Sequence, residues 1–148
     1  MHIRLAHNTD LSAIATLSRA EIEHEFDWHW TPARLRKAMS DTETNVAVAI
    51  TGNELLGFGI MQYRHEYAHL LLFAVRPNAR RRGIGSALLK WLERVAVIAG
   101  INTFRIEARH DNASALAFYR AHGYREIAKV LNMYEGLEDG VRLEKRIK

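Results

Sequence analysis

The chain has 148 residues, 48% of them hydrophobic and 26% charged, which suits a single domain over 1–148 and excludes wholesale disorder. With no cysteine, it has no disulfide framework, no thiolate zinc site and no cysteine-borne acyl-enzyme. The formal charge of +4 is modest, the N-terminus lacks a leader's apolar stretch, and no apolar run nears the ~20 residues of a membrane helix; a cytoplasmic protein without membrane attachment is expected.

In chain order, His2 to Ala6 reads as a short strand, and Asp10 is placed to cap a helix with Leu11, Ile14, Ala15 and Leu17 at helical spacing. Thr31-Pro32 reads as the N-cap and first position of a second helix ending near Met39. Asn45 to Thr51 is rich in β-formers, Gly52-Asn53 is a turn, and Leu55 to Tyr63 returns as the hairpin partner. Tyr67 to Val75 is a third apolar strand, stopped by Arg76-Pro77. A Gly-rich turn leads into an amphipathic helix through Ile84, Leu88, Trp91, Leu92, Val95 and Ile98, with Gly100 at its C-terminal stop. Thr103 to Ala108 is another strand. Asn112 caps a helix through Ala115, Leu116, Phe118 and Tyr119, which Gly123 ends. Tyr124 to Met133 and Val141 to Ile147 close the chain as strands around the turn-like Glu138-Asp139-Gly140. The pattern is α/β (α+β), with a largely antiparallel sheet and a central strand–helix–strand unit.

Arg76, Arg80, Arg81 and Arg82 fall within seven residues, and the last three run directly into Gly83-Ile84-Gly85-Ser86. A glycine turn between a strand and a helix lets the backbone approach a ligand closely, with helix N–H groups facing an anion along the dipole. Arginines add charge-assisted hydrogen bonds. The P-loop pattern and the three-glycine dinucleotide fingerprint are both absent, which leaves a polyanion site of another kind.

The stretch Leu71-Leu72-Phe73-Ala74-Val75-Arg76-Pro77-Asn78-Ala79-Arg80-Arg81-Arg82-Gly83-Ile84-Gly85-Ser86 resembles the acetyl-CoA motif of the GNAT N-acetyltransferase superfamily. Asn112-Ala113-Ser114-Ala115-Leu116-Ala117-Phe118-Tyr119-Arg120-Ala121-His122-Gly123-Tyr124 is similar to that family's second signature, at the right separation. The resemblance implies the GNAT fold, a sheet of about seven strands with about four helices, and direct transfer of an acetyl group from acetyl-CoA to a primary amine. It implies main-chain contacts to pantetheine from Phe73, Ala74 and Val75. Pyrophosphate contacts would come from Arg80, Arg81, Arg82, Gly83, Ile84, Gly85 and Ser86, and Asn112 would steady the pantetheine. Tyr119 would lie near the thiol and protonate the leaving thiolate; its reference pKa of about 10 is close to a thiol's ~8.5.

On the strand Thr103 to Ala108, alternation puts Phe104 and Ile106 on one face and Arg105 and Glu107 on the other. Ile106-Glu107-Ala108-Arg109 with Asn112 and Tyr119 resembles the ribosomal-protein alanine N-acetyltransferase branch, which implies Glu107 as the base. An ion-paired surface carboxylate is the competing reading of Glu107, and His110 and Glu66 are weaker candidates. Val130-Leu131-Asn132-Met133-Tyr134 and Asp139-Gly140-Val141-Arg142-Leu143 depart from that branch in the acceptor region. The acceptor therefore stays open between a protein N-terminus and a small amine such as a polyamine, an amino acid or an aminoglycoside. Trp28, Trp30 and Tyr134 are candidate acceptor contacts; the tryptophans also suit a staple under the second helix. A homodimer is compatible with the resemblance.

His65-Glu66-Tyr67-Ala68-His69 matches the zinc-protease pattern, with Glu93 downstream as a third ligand. That chemistry needs a helix. On a strand the two histidines stand roughly 13 Å apart, so no metal is expected. The Arg cluster invites a nucleic-acid reading, but no binding module or aromatic-interleaved basic stripe accompanies it, so no nucleic acid is expected. A sensor that binds acetyl-CoA without transferring it is the other non-enzyme reading, and intact Tyr119 and Glu107 argue against it.

Overall fold

Seven strands form one sheet in the order β1-β2-β3-β4-β5-β7-β6, and only β4 and β5 are parallel neighbours. The strands are β1 (His2–Leu5), β2 (Thr44–Thr51), β3 (Glu54–Tyr63), β4 (Ala68–Val75), β5 (Thr103–Arg109), β6 (Arg125–Tyr134) and β7 (Glu138–Arg146). The helices are α1 (Leu11–Glu21), α2 (Pro32–Ser40), α3 (Ile84–Ile98) and α4 (Ala113–Ala121). The computed structural model describes residues 1–22, 29–80, 82–134 and 138–147, and for 132–134 and 138 the backbone alone. Among the described residues, no helix is long and apolar enough to cross a membrane.

The two faces of the sheet carry separate cores. On one, Leu11, Ile14 and Leu17 of α1 and Leu35 of α2 pack on Val46, Val48, Phe58 and Ile60. On the other, Leu88, Leu89 and Leu92 of α3 and Leu116 and Tyr119 of α4 pack on Met61, Leu70, Phe104, Ile106 and Leu143. Each fully buried side chain of this size is worth about 1.5–3 kcal/mol, and the strict apolar spacing of α3 delivers several of them at once. Gly59 of β3 permits the close approach: a Cβ there would stand 2.6 Å from Leu92 and 3.2 Å from Phe73.

Two details of β4 shape the site. It pairs with β5 only through Ala68↔Phe104, His69↔Arg105 and Leu70↔Ile106, and then the strands part. At that point β4 also bulges: Ile60 pairs with Leu72 and Met61 with Leu70, which leaves Leu71 as the extra residue. Strict alternation would put Phe73 on the opposite face from Leu70. The bulge turns it back, so both reach the α3–α4 core.

Most expected elements are present within a residue or two of their predicted ends. Two expectations are corrected. Asp10 does not cap α1 through its side chain; it accepts from the His7 backbone N–H at 2.7 Å and pairs with Arg4 at 2.7 Å, closing the 3-10 turn before the helix. Glu138-Asp139-Gly140 is not a turn but the start of β7, where Gly140 is flanked by Arg109 of β5 and Val130 of β6. Its turn-like composition was outweighed by pairing on both sides.

Candidate active site

The turn after β4 ends at Gly83, whose φ of 76° is left-handed and natural only to glycine. Gly83 is the N-cap of α3 and provides no side-chain cap, so the first-turn N–H groups of Ile84, Gly85 and Ser86 point out of a 15-residue helix. This is an anion-binding end. Its arginines divide the work. Arg76 donates from Nε to the Leu55 carbonyl. Arg80 donates to the Val75 carbonyl at 3.2 Å and pairs with Glu21 at 2.7 Å, tying the turn to α1. Arg82 is exposed beside the helix start, while Arg81 lies outside the described residues.

The helix that carries Tyr119 is fastened to this turn. Asn112 caps α4 by accepting from Ala115 N–H at 3.1 Å. At the other end, His122 Nδ1 lies 2.8 Å from the Phe118 carbonyl and Nε2 lies 2.6 Å from Ser86 Oγ. A carbonyl only accepts, so neutral His122 donates from Nδ1 and Ser86 donates to Nε2. The Phe118 ring lies so close to Gly85 that a Cβ there would be 3.2 Å from it. Tyr119 is 7% exposed. Its ring meets Phe118, Tyr124 and Phe73 at centroid distances of 5.4, 5.9 and 6.4 Å. Phe73, Ala74 and Val75 pair with Gly59, Phe58 and Gly57 on one edge. Their other edge faces the gap left by β5.

Across the sheet is a cleft of about 170 Å³ lined by Tyr67, His69, Arg105, Glu107 and Arg142. Glu107 binds both His69 Nε2 at 3.1 Å and Arg142 at 3.2 Å. The hydrogen bond from His69 holds its carboxyl below the ordinary carboxylate range; burial opposes this, and the charges of His69 and Arg142 reinforce it. Arg105 stacks over the Tyr67 ring at 4.2 Å and reaches Glu144 at 3.0 Å. The predicted alternation on β5 is observed, with Phe104, Ile106 and Ala108 buried on the helix side and Arg105 and Glu107 in the cleft. Tyr119 and Glu107 therefore stand on opposite faces of the sheet, near the point where β4 and β5 stop pairing.

His69, Tyr67 and Arg142 are site residues that the sequence reading did not select. In the sequence His69 stands out only as part of the zinc-like pattern, whereas in the fold His65 occupies the exposed turn and His69 the second residue of β4. Alternation on β4 sets His69 opposite Ala68 and Leu70, a signal that needed the register with β5 to acquire meaning. Glu93 is buried in α3, accepting from Tyr124 at 2.6 Å and from Lys145 at 2.9 Å. Burial and the neighbouring Glu93 push the Tyr124 hydroxyl up, so that phenol stays protonated. Glu66 and His110 are exposed. Trp30 packs against the α1–α2 core with Arg34 stacked on it at 4.1 Å, the stapling arrangement. Trp28 and the Tyr134 side chain lie outside the described residues.

A sequence model of the acetyltransferase (GNAT) family matches residues 11–124. The chain is 31% identical to the ribosomal protein bS18-alanine N-acetyltransferase of Escherichia coli, over 90% of this chain and 88% of that one. The crystal structure of the S18-alanine enzyme from Escherichia coli superposes with a TM-score of 0.85 at 25% identity, covering 99% of this chain and 94% of the other. Ard1 from Thermoplasma volcanium shares the fold, with a TM-score of 0.89 at 23% identity over 99% and 97% of the two chains.

Proposed function

Because the chain belongs to the acetyltransferase (GNAT) family and is an acetyl-CoA-dependent N-acetyltransferase, we propose that it acts as a single cytoplasmic domain on a protein N-terminal amine. The observation that carries this reading is the parting of β4 and β5, which lies between an anion-binding turn and a polar cleft. The likeness to the bS18-alanine enzyme over most of the chain supports the choice of acceptor. An α-amine suits the cleft chemically: its reference pKa of about 7.7–8.0 leaves part of it neutral near pH 7, unlike lysine at ~10.4.

Acetyl-CoA enters with its pyrophosphate on the N–H groups of Gly83, Ile84, Gly85 and Ser86, and with Arg82 alongside. Its pantetheine runs along the free edge of Phe73, Ala74 and Val75, and the Asn112 amide steadies it. The amine attacks the thioester carbonyl from the cleft side. Tyr119, held by three aromatic neighbours, gives its proton to the departing sulfur. The base expected at Glu107 belongs to the Glu107–His69 pair rather than to an isolated carboxylate. The test is free-thiol release from acetyl-CoA against a panel of N-terminal peptides and small amines, with Tyr119→Phe and Glu107→Gln run in parallel. Fastest turnover on an alanine-starting peptide supports the assignment. Fastest turnover on a polyamine, amino acid or aminoglycoside replaces the acceptor, and binding of acetyl-CoA with no turnover restores the sensor reading.

A further inference from the structure

The arginines and the carboxylate of the cleft are already committed to partners. Glu107 is held by His69 and Arg142 together, Arg142 by Glu107, and Arg105 by Glu144 and the face of Tyr67. His69 differs at one nitrogen. His69 gives its Nε2 to Glu107 Oε1 at 3.1 Å, and among the described residues nothing hydrogen-bonds Nδ1. A carboxylate only accepts, so neutral His69 carries its proton on Nε2 and its lone pair on Nδ1. The side chain is 19% exposed and lines the cleft, one residue before β4 makes its last pairing with β5.

We propose that His69 is the catalytic base that takes the proton of the acceptor amine, and that Glu107 is its positioning partner. The assignment rests on the reading of this cleft as the acceptor side. Two features distinguish it from a Glu107 base. Both oxygens of Glu107 are occupied, one by His69 and one by Arg142. A carboxylate held below its ordinary range is also a poor match for an amine near pH 7, whereas imidazole at a reference pKa of ~6.5 is a close one. Glu107 fixes the ring and its tautomer and stabilises the imidazolium as it forms, the logic by which a carboxylate serves a histidine base.

The protons balance as follows. A bound ammonium gives its first proton to His69 Nδ1, which passes it to solvent. The neutral nitrogen attacks the thioester carbon, a C–N bond forms and the carbonyl pair moves to oxygen. On collapse the C–S bond breaks and the sulfur takes the Tyr119 proton. The second proton of the attacking nitrogen then restores Tyr119. The sum is one amide, one thiol and one released proton.

The experiment compares wild type, His69→Gln and Glu107→Gln, using acetyl-CoA and whichever panel amine wild type turns over fastest. kcat/KM is followed from about pH 5.5 to 9, around the reference histidine value of ~6.5, with acetyl-CoA affinity measured by calorimetry. Glu107, Arg105, Arg142 and Tyr67 line the cleft with His69, and Glu144 pairs with Arg105. His69→Gln is expected to lower kcat/KM about 100-fold near pH 7 and to remove the acid limb of the profile, with acetyl-CoA affinity unchanged. Glu107→Gln is expected to keep the limb, because His69 remains, and to lose less activity than His69→Gln. If His69→Gln keeps at least a third of the activity and the same profile while wild type is active, the base assignment falls and the acceptor reading stands. If Glu107→Gln is the more damaged and is the variant that loses the acid limb, Glu107 is the base and the proposal is overturned. Wild type inactive on every amine overturns the acceptor reading itself.

Discussion

On the α3–α4 side of the gap between β4 and β5, each segment of the site is shaped by its own sequence, and the segments are joined mainly by packed rings. Ser86 meets His122, Phe73 stacks on Phe118, and Tyr119 packs edge to face with Phe118 and Tyr124. On the other side, five residues from the 67 turn, β4, β5 and β7 meet almost entirely through charge. Packed rings and a left-handed glycine have one good arrangement, so the cofactor side tolerates little change. Ion pairs in a partly wetted cleft are individually worth less and are tunable, so the acceptor side can be re-specified without refolding the domain. A family that keeps one cosubstrate and varies its acceptors would need that division.

Three substitutions probe the two sides. Tyr119→Phe should cut thiol release about 100-fold, because the ring packing survives while the acid is lost, and acetyl-CoA affinity should hold. A loss of affinity comparable to the loss of rate would show that the hydroxyl serves binding and would blur the two sides. Gly83→Ala should cost about 1 kcal/mol through its left-handed backbone alone, since a Cβ at that position meets nothing within 4 Å. Thermal unfolding should then come about 2–4 °C earlier. Arg105→Ala should have a still smaller effect. It removes a cation–π contact worth about 0.5–1 kcal/mol, so acceptor KM should rise only a few-fold while acetyl-CoA affinity stays put. An equal change in both constants would mean that the gap transmits strain between the faces.

The same contrast explains what the sequence disclosed. The cofactor side is written locally: glycine and cap residues specify their own backbone, as at Gly83, whose φ is 76°, and at Asn112, which accepts from Ala115 N–H at 3.1 Å. Alternation alone placed Glu107 correctly. The cleft was not legible because its members are joined by strand register. Nothing near His69 in sequence announces that β5 will set Glu107 against it, or that β7 will bring Arg142. The bulge at Leu71 was hidden as well, since an apolar run carries no mark of a dropped pairing. The turn-like 138–140 failed for the opposite reason: a local signal was overruled by two flanking strands.

The smallest effect tests the electrostatic half of the contrast in the absence of any substrate. Glu107 has a folded-state pKa below its ordinary value, held there first by the His69 hydrogen bond. A depressed carboxylate stabilises the fold above its unfolded pKa of about 4.3, and that contribution is lost as pH falls through the folded value. Wild type should therefore lose stability on acidification below about pH 4.3 more steeply than Glu107→Gln, which has no proton to take up there. Between pH 6 and 8 the two curves should run parallel, apart from the constant cost of the lost ion pairs and any change in His69. The measurement is the melting temperature of both proteins at a series of pH values in low salt. Raising the salt should shrink the difference, because Arg142 is 39% exposed and the pair is only partly shielded from water. Identical acid limbs would mean that the cleft charges do not hold one another, and the acceptor side would then have to be rigidified by packing, as the cofactor side is.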